Sequence, residues 1–409
     1  MKPPYRRIFR SRSLCAGRHR VLTIDRTHPR SYNDHPPSLE SRNPVQESAE
    51  YALKKTRIVG VSEKGVKAAA RYIHRELQRE SYTRGHGELI LFTYWIFLIS
   101  SLNFSFWSER EGTPDRYGVE WREGWASERR TVHTGYWSLV AAVDRALDEN
   151  IPITDPAFYA SKSQCPDSLI KHIFRPASQC KEDIPLLDER IRVLRENGAI
   201  LCTRFGGSFQ LFFKEFQRQF NEQGTALQLV QFVTDAFPLF RDETLYEGHR
   251  VCLWKRAQIL VAETWAAFYP PSPFTPHPLF PYGHKIHELT MFADYRVPQI
   301  LHHLRILTYP PALAKRLKAH MMLPHGCTEE LSIRAASIVA VERVRREIVS
   351  MSRAGSGDVT KGDEEVVSSV IIDFYLWDLA KRIEGGEHVI DRVETVDALP
   401  AHRTRSIWY

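Results

Sequence analysis

Apolar residues recur at helical spacing along most of this chain, and this pattern restricts the fold more than any other feature. After Ser62, the residues Val66, Ala69, Ala70 and Ile73 follow the spacing of a helix with one buried face. Comparable runs predict helices at 137–147, 184–197 (ended by Gly198), 209–220, 226–237, 254–268, 298–307, 328–349 and 365–383. Short β-like segments lie at 117–120, 131–133 and 404–409. Because strands and helices do not alternate, the sequence predicts a mainly α fold with few short strands, built as a single large helical domain.

One uncharged stretch has the length of a membrane span. Residues 89–108 carry no charge over 20 positions. The second half is polar, with Ser100, Ser101 and Asn103, so that only about 11 residues are continuously apolar, which is the length of a core helix. We therefore predict a buried helix here and no membrane segment.

The positive charge of the chain is concentrated at its start. The formal net charge is +7, and residues 1–31 hold nine Lys or Arg against one Asp, so that the remaining residues sum to about −1. Hydrophobic residues at 43% and charged residues at 26% are typical of a globular protein. We predict a disordered basic tail at 1–47 and one folded domain at 48–409, whose near-neutral charge disfavours a grip on a nucleic-acid backbone.

The cysteines and the first residues indicate the compartment. The six cysteines contain no CxxC pair, and residues 1–30 lack the apolar segment of a secretory signal. Both features favour an intracellular protein with reduced thiols. We expect this protein to be located in the cytoplasm, and a location in the nucleus is also compatible with the sequence. An acid-poor, Arg-rich start is also typical of mitochondrial transit peptides, so residues 1–30 leave that alternative open beside a solvated tail.

Common nucleotide, nucleophile and metal motifs are missing. Gly206-Gly207 does not extend to GxGxxG, and the chain contains no GxxxxGK[ST], GxSxG or HExxH sequence. We therefore expect neither a metal ion nor an organic cofactor.

Three segments instead combine large aromatic residues with polar ones, at 102–107, 292–296 and 373–378. A carboxylate among aromatic rings is costly to bury unless it holds a cation or an N–H donor. Asp294, shortly before a predicted helix, could simply cap that helix. Asp373 lies in the middle of a predicted helix, where capping is not available, and this favours a role in ligand binding.

Seven blocks in this order resemble the queuosine-salvage proteins, which are the queuosine 5′-phosphate N-glycosylases/hydrolases. The blocks are LNFSFWSE (102–109), TGYWSLVAAVDRALDENIPIT (134–154), RFGGSF (204–209), FRDETLYEG (240–248), WKRAQILVAETW (254–265), TMFADYRVPQIL (290–301) and DFYLWDLA (373–380). The resemblance covers roughly residues 55–409. It implies a mostly helical fold like that of the helix-hairpin-helix DNA glycosylases, and hydrolysis of the N-glycosidic bond of queuosine 5′-phosphate to free queuine for tRNA.

The resemblance also implies site residues. The catalytic carboxylate of the family falls on Asp294, and the base-contacting aromatic residue falls on Phe292. The other ligand contacts fall on Asp373, Phe374, Asp378 and, for a His that precedes the LNFSFW block, His86. The family commonly has Tyr at the place of Phe374, so this chain keeps the ring and lacks the phenolic hydroxyl.

The residue types suit this chemistry. A carboxylate stabilises the oxocarbenium-like sugar that forms when a ribosyl–base bond breaks. The base of the implied substrate carries an amine that is protonated. Carboxylates beside aromatic rings suit such a base, and cations suit the 5′-phosphate. The candidate cations are Lys255, Arg256 and Arg296, with a solvated helix start as the alternative reading of the first two.

The expected partner is therefore a small nucleotide bound by a monomer without a stable nucleic-acid complex. Two alternatives stay open at this point, a DNA or RNA glycosylase and a non-catalytic protein that binds queuosine nucleotides or acts in relation to tRNA.

Overall fold

Helices make up most of the regular structure in this computed structural model, as the apolar spacing predicts. The structure describes residues 43–79, 90–269, 277–280, 286–355, 367–386, 390 and 393–409. Within these residues the helices are α1 (Pro44–Thr56), α2 (Glu63–Arg79), α3 (Ile90–Leu102), α4 (Tyr136–Asp148), α5 (Pro156–Ala160), α6 (Asp167–Ile173), α7 (Leu187–Arg204), α8 (Phe209–Gln219), α9 (Ala226–Ala236), α10 (Lys255–Ala267), α11 (Arg296–His303), α12 (Pro311–Lys318), α13 (Thr328–Gly355) and α14 (Ser369–Glu384). The mainly α prediction is confirmed. The finer likeness to helix-hairpin-helix DNA glycosylases stays a prediction.

Local side-chain chemistry sets several helix starts. The Ser62 hydroxyl accepts a hydrogen bond from the backbone N–H of Gly65 at 3.1 Å and so satisfies a free donor of the first turn of α2. Thr225 and Gln228 form a reciprocal capping box at the start of α9.

The predicted end of α7 at Gly198 is wrong, because the helix continues to Arg204. A Cβ at Gly198 would come within 2.7 Å of the ring of Tyr159. This glycine therefore allows α5 to pack closely on α7 and does not end the helix.

The strands form three two-stranded antiparallel pairs within the described residues. The strands are β1 (Gly60–Val61), β2 (Gly118–Arg122), β3 (Arg130–Thr134), β4 (Glu243–Tyr246), β5 (His249–Cys252) and β6 (Leu307–Thr308). The pairs are β1–β6, β2–β3 and β4–β5, and the longest register runs from Gly118 opposite Thr134 to Arg122 opposite Arg130. The predicted segments at 117–120 and 131–133 are thus confirmed as β2 and β3.

The prediction of a strand at 404–409 is wrong. This segment makes single contacts in place of a ladder, and Arg403 forms one isolated bridge with Met322. The Trp107 indole donates to the backbone O of Thr404 at 2.9 Å, and the backbone N–H of Ser105 donates to the backbone O of Tyr409 at 3.0 Å. These bonds hold the backbone of the C-terminal segment against the segment that follows α3.

Helix α13 is the centre of the fold. It packs against α1, α2, α11 and α14. Residues on all its sides are buried, among them Leu331, Arg334, Ile338 and Val341. Because these residues lie on every side of the helix, other elements enclose this part of α13, and it lies inside and not on the surface.

Residues 90–108 of the uncharged segment form α3 and the irregular stretch after it, and Trp95 to Phe104 lie in the core. The prediction of a buried helix is confirmed. Among the described residues, no helix combines the length and the hydropathy needed to cross a membrane.

Regular structure is present before the predicted boundary at residue 48. Asn43 caps α1 by accepting the N–H of Val45 at 2.9 Å, and its amide donates to the backbone O of Glu288 at 2.6 Å. Pro44 to Glu47 therefore belong to a helix that packs on α13. The rest of the predicted tail lies outside the described residues.

Candidate active site

A cavity opens between the first turns of α4 and α10, the face of α14 and the loop 289–295 that precedes α11. The empty space between its walls, including the open mouth, is about 760 Å³. The aromatic lining residues are Phe106, Tyr136, Phe292, Tyr295, Phe374, Trp377 and Tyr409. The charged lining residues are Arg116, Lys255, Glu263, Asp294, Arg296, Asp373 and Lys381.

Helix α10 supplies one stripe of this lining. Lys255, Ile259 and Glu263 follow each other at intervals of four residues, so they lie on one face of the helix and all three reach the cavity. The stripe places a cation near the helix start and a carboxyl two turns further along.

Lys255 is buried, and its ammonium has a fixed partner. Its Nζ donates to the backbone O of Asn103 at 3.1 Å and to the side-chain Oδ1 of Asn103 at 3.3 Å. Burial lowers the pKa of Lys255 to about 8, while the negative charges of Asp294 and Asp373 act in the opposite direction. The ammonium is therefore charged at neutral pH but titrates close to it.

The pKa of Glu263 is shifted in the opposite direction to that of Lys255. Burial raises the pKa of Glu263 to about 7, and the positive charge of Lys255 reduces that rise. The same stripe thus carries an acid and a base whose pKa values have both moved toward neutrality, which is common in functional sites.

Asp294 is half-buried at the end of the loop before α11. Its Oδ1 accepts the backbone N–H groups of Arg296 at 2.8 Å and Val297 at 2.9 Å. The capping role that the sequence allowed is therefore real. Since these bonds use only one of the two carboxylate oxygens, the cap orients the side chain while Asp294 also lines the cavity.

Asp373 joins α14 to the loop that carries Asp294. Its Oδ1 accepts the backbone N–H of Phe292 at 3.0 Å. Burial raises the pKa of Asp373 well above its usual range, and the charge of Asp294 adds to this effect. The two carboxylates therefore differ in environment, since Asp373 is almost fully enclosed and Asp294 is partly open to the cavity.

Two pairs of rings form parts of the wall. The ring centroids of Phe292 and Phe374 lie 6.0 Å apart and are tilted by 55°. Trp377 packs edge-on against Tyr136 at 6.2 Å. Rings held in this way present faces and edges on which a planar heterocycle can stack.

Three cations and two carboxylates surround the mouth. Arg296 Nη2 lies 3.0 Å from Glu384 and 3.9 Å from Glu111, and Arg116 Nη1 lies 2.5 Å from the same Glu111. Lys381 Nζ lies 2.7 Å from Glu384. Because the three cations outnumber the two carboxylates, this rim has an excess of positive charge.

A family model described as queuosine salvage protein matches residues 88–409. The chain belongs to the queuosine salvage protein family. This membership confirms the resemblance carried by the seven sequence blocks.

Several relatives of the family are named queuosine 5′-phosphate N-glycosylase/hydrolase. The protein of Schizosaccharomyces pombe is 40% identical over 77% of this chain and 82% of its own length. The protein of Mus musculus is 37% identical over 89% of this chain and 98% of its own length. A bacterial relative from Sphaerobacter thermophilus is 37% identical over 77% of this chain and 80% of its own length.

Six of the site residues predicted from the sequence meet in the cavity of this queuosine salvage protein. They come from three distant parts of the chain and are Lys255, Phe292, Asp294, Arg296, Asp373 and Phe374. Lys255 is buried, so the alternative reading of a solvated helix start is wrong for this residue.

Arg256 does not line the cavity. Successive residues of a helix point about 100° apart, so Arg256 turns away from the face that carries Lys255. Its guanidinium is buried, donates to the backbone O atoms of Ser101 and Leu239, and lies over the rings of Phe104 and Phe240. The structure therefore corrects both readings of Arg256, since it is neither solvated nor placed to bind a phosphate.

Asp378 is another predicted contact that does not line the cavity. Asp378 is buried on another side of α14, because five residues along a helix rotate a side chain by about 140° relative to Asp373. Trp377 and Lys381 occupy the positions that continue the Asp373 face. His86 lies outside the described residues and two positions before the match to the family model.

Sequence reasoning missed several lining residues of different origin. Glu263 and Trp377 had a detectable signal, because they lie eight residues after Lys255 and four after Asp373 on the same helix faces. Arg116 and Tyr409 had none, since only the tertiary fold brings them to the cavity. Asn103 and Phe106 lie inside the quoted LNFSFW block, but their type alone does not separate them from the core.

Proposed function

We propose that this chain hydrolyses the N-glycosidic bond of queuosine 5′-phosphate and releases queuine. The observation that supports this most is the joint placement of Asp294, the rings of Phe292 and Phe374, and a cationic mouth in one cavity. The names of the relatives describe the same reaction for those proteins.

Asp294 is the catalytic carboxylate in this proposal. The bond between ribose C1′ and the base nitrogen breaks, and its electron pair leaves with the base. The Asp294 carboxylate stabilises the positive charge that develops on the sugar and accepts a proton from the attacking water. The water oxygen bonds to C1′, and the proton that Asp294 receives is passed to the base. The cap on the α11 N-terminus keeps the carboxylate in place during these steps.

The interior end of the cavity takes the base. Phe292 and Phe374 supply ring faces for stacking, and Asp373 fixes the backbone beneath Phe292. Glu263, in its ionised form, faces the amine that the base carries in protonated form. Lys255, fixed by Asn103, keeps a positive charge near the two aspartates and favours the ionised form of Asp373.

The mouth takes the 5′-phosphate. Arg116, Arg296 and Lys381 present guanidinium and ammonium donors there, and a phosphate replaces part of their present pairing with Glu111 and Glu384. This assigns the phosphate to Arg296, as the sequence predicted, together with two cations that the sequence did not indicate. Lys255 serves the base end in this arrangement, and not the phosphate.

The experiment that tests the proposal is incubation of the purified chain with queuosine 5′-phosphate and detection of free queuine by mass spectrometry. The matched control is Asp294→Asn, which keeps the cavity and the cap. Queuine formed by the wild type and not by this variant supports the proposal. Nucleotide binding without any product in the wild type would contradict it and favour the non-catalytic binding protein.

The proposal includes a monomer in the cytoplasm or nucleus that forms no stable nucleic-acid complex. The charge of about −1 after residue 31 supports the last point, because backbone binding needs many cations. Light scattering during size-exclusion chromatography and a gel-shift titration with tRNA test the two solution properties.

A further inference from the structure

Arg334 lies in the second turn of α13 and contacts the loop that carries the catalytic carboxylate. It is fully buried, and its Nε donates to the backbone O of Ala293 at 2.9 Å. Ala293 lies between Phe292 and Asp294, which both line the cavity. This hydrogen bond therefore holds the middle of the catalytic loop from behind.

The same guanidinium also reaches the start of α10. Its Nη1 donates to Asp242 Oδ1 at 3.1 Å, and its Nη2 donates to Asp242 Oδ2. That second oxygen accepts the backbone N–H of Lys255 at 3.3 Å. Arg334 and Asp242 together therefore fix the helix terminus from which the Lys255 side chain enters the cavity.

The third contact of Arg334 is with Tyr409, whose ring lines the cavity. The guanidinium carbon lies 4.1 Å from the centroid of this ring. Glu330 accepts a hydrogen bond from Arg334 Nη1 at 3.4 Å and from the Tyr409 hydroxyl at 2.8 Å. One side chain thus contacts, directly or through a single carboxylate, three parts of the wall that are far apart in the sequence.

We propose that Arg334 is a positioning residue of this active site, which fixes the Asp294 loop, the start of α10 and the ring of Tyr409 relative to one another. The inference rests on the proposed hydrolysis. The planar fork of a guanidinium donates in three directions at once and stacks on a ring, and a lysine ammonium at the same place cannot do all of this. A displacement of about 1 Å in a catalytic group is enough to reduce a rate about 100-fold.

The test compares Arg334→Lys with Arg145→Lys. Arg145 is the matched control because it is also buried and donates to backbone O atoms, those of Glu120, Ile173 and Arg175, but none of these partners lines the cavity. For each variant we measure the melting temperature, kcat and KM with queuosine 5′-phosphate. Both substitutions should lower the melting temperature. Only Arg334→Lys should lower kcat, by at least about tenfold, with KM changed by less than about threefold because binding is spread over many contacts.

The outcomes separate this inference from the proposed function. Absence of queuine with the wild type and with Arg145→Lys would contradict the proposed function. Arg334→Lys with wild-type kcat, at a melting temperature lowered as in the control, would overturn the positioning role alone. Asp242→Asn is a second variant, which tests the inference even if Arg334→Lys folds poorly. It keeps one oxygen atom that can accept a hydrogen bond from Arg334. This variant should also lose kcat with KM retained, and wild-type kcat in it would equally overturn the inference.

Discussion

Asp373 Oδ1 accepts a hydrogen bond from the backbone N–H of Phe292 at 3.0 Å, and this bond places the two aspartates of the cavity on neighbouring walls. The pKa of Asp373 rises through burial and through the charge of Asp294. Pairs of carboxylates whose environments differ in this way commonly have different roles. Here Asp294, whose carboxylate is partly open to the cavity, is suited to the catalytic role. Asp373, whose carboxylate is enclosed, is suited to holding the loop and the base.

Asp294→Asn should abolish most turnover while the protein stays folded. Asn is as good an N-cap as Asp, so the bonds to Arg296 and Val297 are retained and the melting temperature should change little. The lost charge should reduce kcat by about 10²–10³ with nucleotide affinity kept. Queuine release and calorimetric titration measure the two quantities, and Asp235→Asn, an exposed site on α9, is the control. Wild-type kcat in Asp294→Asn would show that the catalytic assignment is wrong.

Replacing Asp373 by Asn should cost less stability than replacing it by Ala. Asp373→Asn keeps an oxygen that accepts the N–H of Phe292, so it should retain most of the stability. Asp373→Ala leaves that buried N–H without its acceptor and should cost about 1–3 kcal/mol in the free energy of unfolding. Both variants should bind the nucleotide more weakly if the carboxylate contacts the base. Equal melting temperatures for the two variants would contradict the structural part of this prediction.

Glu263→Gln should change the pH profile of the reaction. The pKa of Glu263 is about 7, so the carboxylate that faces the cationic amine of the base forms as the pH rises through that value. The kcat/KM of the wild type should therefore rise through pH 7, and this rise should disappear in Glu263→Gln. A fall above about pH 8 belongs to Lys255 and should persist in the variant. Glu215→Gln, on the surface of α8, is the control.

The same substitution should alter the pH dependence of stability. A folded-state pKa of about 7, above the usual value of 4.5, means that the native state binds more protons than the unfolded state between these pH values. The contribution of Glu263 to stability is therefore fully present below about pH 4.5 and is lost as the pH rises to about 7. Denaturant titrations at pH 5 and pH 8 should show a smaller difference for Glu263→Gln than for the wild type. An identical difference would mean that Glu263 titrates normally.

Lys381→Met should remove part of the phosphate affinity and leave base binding intact. Lys381 lies at the mouth, where its ammonium pairs with Glu384 and lies 5.8 Å from the ring centroid of Trp377. We expect about tenfold weaker binding of queuosine 5′-phosphate, since one charge-assisted hydrogen bond contributes about 1.5 kcal/mol or more. Binding of unphosphorylated queuosine should be unchanged, and so should both affinities in Lys171→Met, an exposed control on α6. Equal losses of affinity for queuosine 5′-phosphate and for queuosine would show that the phosphate does not bind at this rim.

The sequence predicts the elements of this fold better than it predicts its site. Apolar spacing locates most helices within a few residues, because burial of one face determines where a helix forms. It fails at Gly198, where contact with Tyr159 decides which residue fits and no local signal records that contact. The adjacent cations Lys255 and Arg256 look equivalent in the sequence. They separate in the structure because the first faces the cavity and the second faces the core.

Phe374 and Asp378 provide the last test, since the family resemblance implies that both contact the ligand, whereas only Phe374 lines the cavity. Phe374 lines the cavity and lies 6.0 Å from Phe292 between ring centroids, whereas Asp378 is buried outside the lining. Phe374→Leu keeps an apolar side chain but removes the stacking face, and should weaken nucleotide binding by about 1 kcal/mol. Asp378→Asn should lower the melting temperature and leave affinity unchanged in the folded protein. Calorimetric titration measures the affinity, and thermal melts measure the melting temperature. A loss of affinity in Asp378→Asn equal to that in Phe374→Leu would show that Asp378 belongs to the binding site.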